Sequence, residues 1–148
     1  MKKMDAGQIG RLIASECLSV RIRRLGRLIT RLYDGALAPH GVSAAQLNLL
    51  SAIAATGGVR AVDLARVLEL EKSTLSRDLK RMEKIGWVRA GPAAGDTGRR
   101  VTLTRAGSRL LLEVRDAWEK AQAAAEEELG KTTFARLRTA LPSPLTRL

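Results

Sequence analysis

The chain has 148 residues with a formal charge of +11, and 45% of it is hydrophobic while only 3% is aromatic. That length suits one domain around a single core, and the cationic excess points to a polyanionic partner. One cysteine, Cys17, excludes internal disulfides and cysteine-based zinc sites.

The lone thiol fits a reducing, cytoplasmic interior. Met1-Lys2-Lys3 begins like a signal peptide, but Asp5, Gln8, Arg11 and Glu16 interrupt any apolar core, and no run approaches a membrane span. Nucleic acid is favoured over membrane because no stretch pairs a basic face with a bulky aromatic one. Single-stranded nucleic acid is disfavoured in turn, since its binders stack bases on aromatic rings that this chain lacks.

Residues from Gln8 to Ala38 read as a first long helix, ended by Pro39 and Gly41. Leu18, Ile22, Leu25, Ile29, Leu32 and Ala36 form a heptad-like stripe on it, with Arg23, Arg27 and Arg31 on the other side. A helix of that length is too long for a domain of this size to cover, so part of its apolar surface is expected to meet a second subunit. Ser43 and Gln46 then spell a capping box, and Leu47, Leu50 and Ile53 follow on one face of a helix closing at Gly57-Gly58. No residue from 41 to 59 is charged, so this helix belongs in the interior.

The segment from Arg60 to Arg105 organises the chain and carries eleven basic and six acidic side chains. Val62, Leu64, Ala65 and Leu68 make a short amphipathic helix. After Glu69-Leu70-Glu71-Lys72, the spacing of a helix-turn-helix, a second helix runs from Ser73 to Ile85. Its apolar residues Leu75, Leu79, Met82 and Ile85 share one face, which must be buried. The opposite face presents Ser73, Arg77, Lys80 and Lys84, with Thr74 and Arg81 beside them; Glu71, Asp78 and Glu83 fall to the flanks. An outward face free of acid suits a phosphate-lined groove, and the short hydroxyls, including Ser76, permit contacts to base edges.

Downstream, Trp87-Val88-Arg89 and Val101-Thr102-Leu103 are two β-prone runs joined by the turn-rich stretch from Gly91 to Gly98. Two helices followed by a hairpin describe a winged helix, whose Arg99 and Arg100 are placed for a minor groove while the second helix takes the major groove. Thr104 caps a fourth long helix with Leu110, Val114, Ala117, Ala121 and Ala125 on its apolar side, running to Gly130. A short last helix from Thr132, with Phe134, Leu137 and Leu141, stops at Pro142 and Pro144. The expected fold is mainly α (α+β): one domain over residues 1–148, with a winged helix-turn-helix head at 43–103 and flanking helices at 8–38 and 104–141.

Val62-Asp63-Leu64-Ala65, Lys72-Ser73-Thr74-Leu75-Ser76-Arg77, Glu83-Lys84-Ile85-Gly86-Trp87-Val88 and Leu103-Thr104-Arg105-Ala106-Gly107, in that order and spacing, resemble the MarR (multiple antibiotic resistance regulator) family of winged-helix transcription factors. The resemblance covers nearly the whole chain. It implies a homodimer with interlocked terminal helices that binds a pseudo-palindromic double-stranded operator as a repressor. A small-molecule effector, often phenolic or another anionic aromatic, relieves repression from a pocket where the head joins the long helices; no pocket residue is assigned by the sequence. Two departures stand out. Many members carry glycine where this chain has Glu69 and aspartate where it has Glu71, and the usual Asp-Arg-Arg wing signature is replaced by Asp96-Thr97-Gly98-Arg99-Arg100, which leaves open which arginine enters the minor groove.

Other motifs yield to blander readings. Some family members sense peroxide through a cysteine near the start of the first helix, but Cys17 reads first as a small packing residue, with a redox role second. His40 has no companion ligand and reads as a turn residue. Asp96-Thr97-Gly98 spells the aspartic-protease triplet in a basic, glycine-rich hairpin, the wrong surround for two carboxylates sharing a proton. With no phosphate loop or nucleophile motif, the chain is expected to be neither an enzyme nor the holder of a cofactor. The competing function is a non-specific nucleoid-associated or architectural DNA-binding protein.

Overall fold

A computed structural model describes residues 4–92, 98–141, 143 and 145. Its elements are α1 (Ala6–Glu16), α2 (Leu18–Leu37), α3 (Ala44–Ala55), β1 (Val59–Arg60), α4 (Ala61–Val67), α5 (Lys72–Ile85), β2 (Val88–Ala90), β3 (Arg100–Leu103), α6 (Arg105–Glu113), α7 (Arg115–Leu129) and α8 (Lys131–Ala140). A 3-10 turn, Ala38–His40, joins α2 to α3. The architecture is a winged helix with long flanking helices, as expected. No helix among the described residues is long and apolar enough to cross a membrane.

The expected first helix is two. Cys17 adopts φ −65°, ψ 114°, extended backbone that interrupts the ladder between α1 and α2. Two hydrogen bonds accompany the break: the Ser15 hydroxyl donates back to the Leu12 carbonyl, a bond that bends helices, and the Arg21 guanidinium donates to the Ser15 carbonyl. No proline or glycine stands at the break, so the sequence reads one helix through it. Over 104–141 the two expected helices are three, because the first is divided at Val114. Val114, between α6 and α7, keeps a helical backbone and its carbonyl still accepts the Trp118 N–H, so that joint is a kink. Gly130 at φ +76° ends α7.

The charge-free helix sits in the core. Gln46, Leu47, Leu49, Leu50, Ala52 and Ile53 of α3 are buried, and Ser43 and Gln46 cap its start reciprocally. Asp34 adds a second anchor, accepting the Ala44 N–H at 2.8 Å and tying the end of α2 to the start of α3. Around α3 close Leu37, Leu64, Leu75, Met82, Val88, Val101, Leu110 and Val114; removing each large side chain from water contributes roughly 1.5–3 kcal/mol. The small residues Ala117, Ala121 and Ala125 of α7 are buried, and the Tyr33 hydroxyl of α2 donates to Gln122 Oε1 at 2.5 Å. Further out, Ile9, Leu12, Ile13, Leu18 and Ile22 are exposed along α1 and the start of α2.

The sheet is antiparallel in the order β1-β3-β2, with Val59 opposite Val101 and Val88 opposite Leu103. Beside the two expected hairpin strands, β1 is a third. At two residues, β1 is too short to show an alternation, and its pairing with β3 holds it in place.

Candidate nucleic-acid interface

The turn between α4 and α5 begins at Glu69, the one described non-glycine residue with positive φ, at 53°. The Leu70 N–H closes back to the Ala65 carbonyl at 2.9 Å, which turns the chain sharply enough to lay α5 across α4. Glu71 occupies the N-cap of α5 with extended backbone, and its side chain makes no capping bond. Glutamate's extra methylene makes it a poor cap, as the departure from aspartate suggests.

Leu75 and Met82 are buried and Leu79 is half-buried, so the inward face of α5 forms as expected. Ile85 departs from it and remains 51% exposed, because the chain swings away at Gly86, which takes φ +91°. Val62 departs likewise: it is exposed, and the buried residues of α4 are Leu64, Ala65 and Val67.

Outward, Ser73, Ser76, Arg77, Lys80, Arg81 and Lys84 are exposed together. Thr74 is half-buried, its hydroxyl 3.5 Å from an Arg77 nitrogen. Asp78 is half-buried, and the Glu83 carboxylate accepts the Ala90 N–H of β2 at 3.2 Å, which fixes this acid at the wing side of the helix. The centre of the face thus carries cations and hydroxyls only.

The two wing arginines diverge. Arg99 donates through Nε to the Gly91 carbonyl at 3.0 Å and lines a cleft of about 360 Å³ together with Val62, Leu79 and Lys80. Arg100 instead lines a depression on the other side with Arg60 and Arg66. Of the two arginines between which the sequence leaves the minor-groove role open, only Arg99 lines the cleft against α5. The tip of the wing, Ala93 to Thr97 with Asp96, lies outside the described residues, as do Met1-Lys2-Lys3, Pro142 and Pro144.

A clasp holds head and tail together behind this face. The Thr104 hydroxyl donates to the Gly86 carbonyl and accepts the Gly107 N–H at 3.1 Å, so the residue capping α6 also grips the end of α5. Cys17 is half-buried at the α1–α2 break, and no cluster of His, Cys, Asp or Glu suited to a metal ion occurs among the described residues. Arg60 and Arg66, which line the depression beside Arg100, are not singled out in the sequence, although the spacing Arg60-x-x-Asp63-x-x-Arg66 marks them.

Residues 40–99 match the profile of the MarR family. Among solved structures, MarR of E. coli, as a cysteine-to-serine variant complexed with operator DNA, is 26% identical with a TM-score of 0.77, covering 88% of this chain and 95% of that one. The transcriptional regulator MosR of M. tuberculosis in complex with DNA is 28% identical with a TM-score of 0.73, at 88% and 95% coverage. A second structure of M. tuberculosis MosR is 29% identical with a TM-score of 0.70, at 86% and 96% coverage. No curated protein sequence matches.

Proposed function

We propose, from the match of residues 40–99 to the MarR family profile and the fold shared with MarR and MosR, that the chain is a MarR-family, sequence-specific, double-stranded-DNA-binding transcriptional repressor that acts as a homodimer in the cytoplasm. Ser73, Thr74, Ser76, Arg77, Lys80 and Arg81 are offered to the major groove, and Arg99 to the flanking minor groove, with Arg100 set to one side. The observation carrying the reading is the exposed, acid-free face of α5, in which hydroxyls and guanidinium alternate. Phosphate contacts need cations alone, whereas base edges need short polar groups at the same surface. That mixture favours operator recognition over a non-specific coating role.

Exposed apolar residues along α1 and α2 support pairing of two copies through the terminal helices. Two recognition helices on one rigid dimer match half-sites about one helical turn apart, so a small change in their separation removes much of the binding. A small anionic or aromatic effector acting on that separation would relieve repression. The test is selection of duplexes from a random pool by the purified protein. One enriched pseudo-palindrome, bound at least about 10³-fold tighter than random duplex at stated salt, is expected; enrichment of no sequence sinks the reading.

A further inference from the structure

Behind the wing lies a depression of about 380 Å³ to which three separate elements contribute an arginine: Arg60 from β1, Arg66 from α4 and Arg100 from β3. Asp63 at its edge accepts from Arg60 Nε through one carboxylate oxygen and from Arg66 Nη2, at 3.1 Å, through the other. One carboxylate therefore orients two guanidiniums while neutralising one charge of three. Each guanidinium carries five N–H donors, of which Arg60 and Arg66 spend one apiece on Asp63; the Arg100 side chain makes no hydrogen bond or ion pair among the described residues. The Thr56 hydroxyl on the same wall is directed at the Ala52 and Ile53 carbonyls, so the free donors here are those of the guanidiniums.

The backbone makes room for this cluster. Gly58 takes φ +119°, and a methyl built on it would stand 2.7 Å from Thr102 Cγ2 and 3.1 Å from Arg100 Nε. Any other residue would press first on the Thr102 methyl and then on the side chain of Arg100. Guanidinium forks with surplus donors take an oxyanion, and because Asp63 already supplies the one carboxylate here, three guanidiniums lining one depression suit a phosphate, which carries more oxygens and more charge.

We infer that Arg60, Arg66 and Arg100 form a phosphate-binding site separate from the outward face of α5. The phosphate comes either from a DNA strand outside the recognition helix, in which case the inference rests on the DNA-binding reading above, or from a free phosphorylated anion.

The experiment compares full-length wild type with Arg60→Ala, Arg66→Ala and the control Arg136→Ala on α8. Salt dependence of duplex binding is measured alongside calorimetric titration with sodium pyrophosphate. Melting curves check the fold, and Arg66→Gln replaces any alanine variant that melts early. If the site holds a DNA phosphate, each depression variant lowers the slope of log K against log salt by about one counterion per subunit and Arg136→Ala does not. If it holds a free phosphate, the duplex slopes stay equal, while pyrophosphate binds the wild type once per chain and is lost in the Arg60→Ala/Arg66→Ala double variant. Pyrophosphate binding by a chain that ignores every duplex would preserve this site and remove the DNA-binding reading. Unchanged duplex slopes with no pyrophosphate heat overturn it.

Discussion

Gly107 is pressed against Trp87: a methyl built on its α-carbon would lie 2.1 Å from the Trp87 carbonyl oxygen. That carbonyl also accepts the Thr104 N–H, so backbone on both sides is fixed and cannot yield as a flexible side chain would. Gly107→Ala is therefore expected to destabilise by about 1–3 kcal/mol, the usual cost of overpacking, although alanine is the better helix former. Gly35→Ala on α2, with nothing within 4 Å of the added methyl, is expected to stabilise by up to about 1 kcal/mol. Urea midpoints measure both; equal midpoints for Gly107→Ala and wild type would show that α6 slides freely past the end of α5.

Glu69 at φ 53° sits in the left-handed region, which costs a non-glycine residue about 1–2 kcal/mol. Glycine removes that cost and returns part of it as unfolded-chain entropy. Glu69→Gly is expected to raise stability by roughly 0.5–1 kcal/mol. Glu71→Asp, which supplies the missing side-chain cap of α5, should add about 0.5–1 kcal/mol independently. Thermal melts of the single and double variants test both increments and their additivity. A lower melting temperature for Glu69→Gly would show that the glutamate earns its place through an interaction absent from this structure.

The sequence made the winged-helix order legible because each signal was local: Ser43 with Gln46, the apolar steps of Leu75, Leu79 and Met82, and the Thr104 cap. What it hid depended on tertiary or backbone detail. Cys17 breaks the first helix through one ψ angle, with no proline or glycine to mark it. The strand β1 exists only because Val59 and Arg60 find β3. Ile85 and Val62 have the right spacing for burial, yet the chain turns away from one and leaves the other outside. The sequence leaves open which of the adjacent arginines 99 and 100 faces the groove, and the structure sets them in different clefts, Arg99 against α5 and Arg100 beside Arg60 and Arg66.

Tyr33 is the only tyrosine, so its titration can be read without ambiguity. Partial burial against α7 raises its phenol above the ordinary value of 10.0. A raised folded-state value means the neutral phenol is favoured by folding. Its stabilisation is fully present below the ordinary phenol pKa and is lost as pH rises through the raised one. The phenolate absorbance of the native protein is expected to appear at higher pH than that of free tyrosine. Tyr33→Phe, which leaves Gln122 Oε1 without its donor, should cost about 0.5–1.5 kcal/mol at neutral pH. A native midpoint at the free-tyrosine value would mean that α2 and α7 part at high pH before the phenol ionises.

Arg99, tied by Nε to the Gly91 carbonyl, keeps both terminal nitrogens for a phosphate or a groove edge. Arg99→Ala is expected to lower the salt slope of duplex binding by about one counterion per subunit. Replacing Arg99 and Arg100 together should lower it by about one to two. An unchanged slope in both variants would clear the wing of DNA contact.

Arg77 occupies the centre of the outward face of α5, with Ser73 and Lys80 on either side and Thr74 close enough to orient it. A guanidinium so placed can give two parallel hydrogen bonds to a guanine edge, a pairing that discriminates by about 1–3 kcal/mol against the wrong base. Arg77→Ala should therefore weaken operator binding by that amount while reducing random-duplex affinity only by the loss of one cation. Lys80→Ala, removing a point charge on a flexible stem, should weaken both duplexes alike. Competition binding at one fixed salt concentration separates the cases. If Arg77→Ala lowers both affinities by the same factor, Arg77 touches phosphate only, and sequence reading must be carried by Ser73, Thr74 and Ser76.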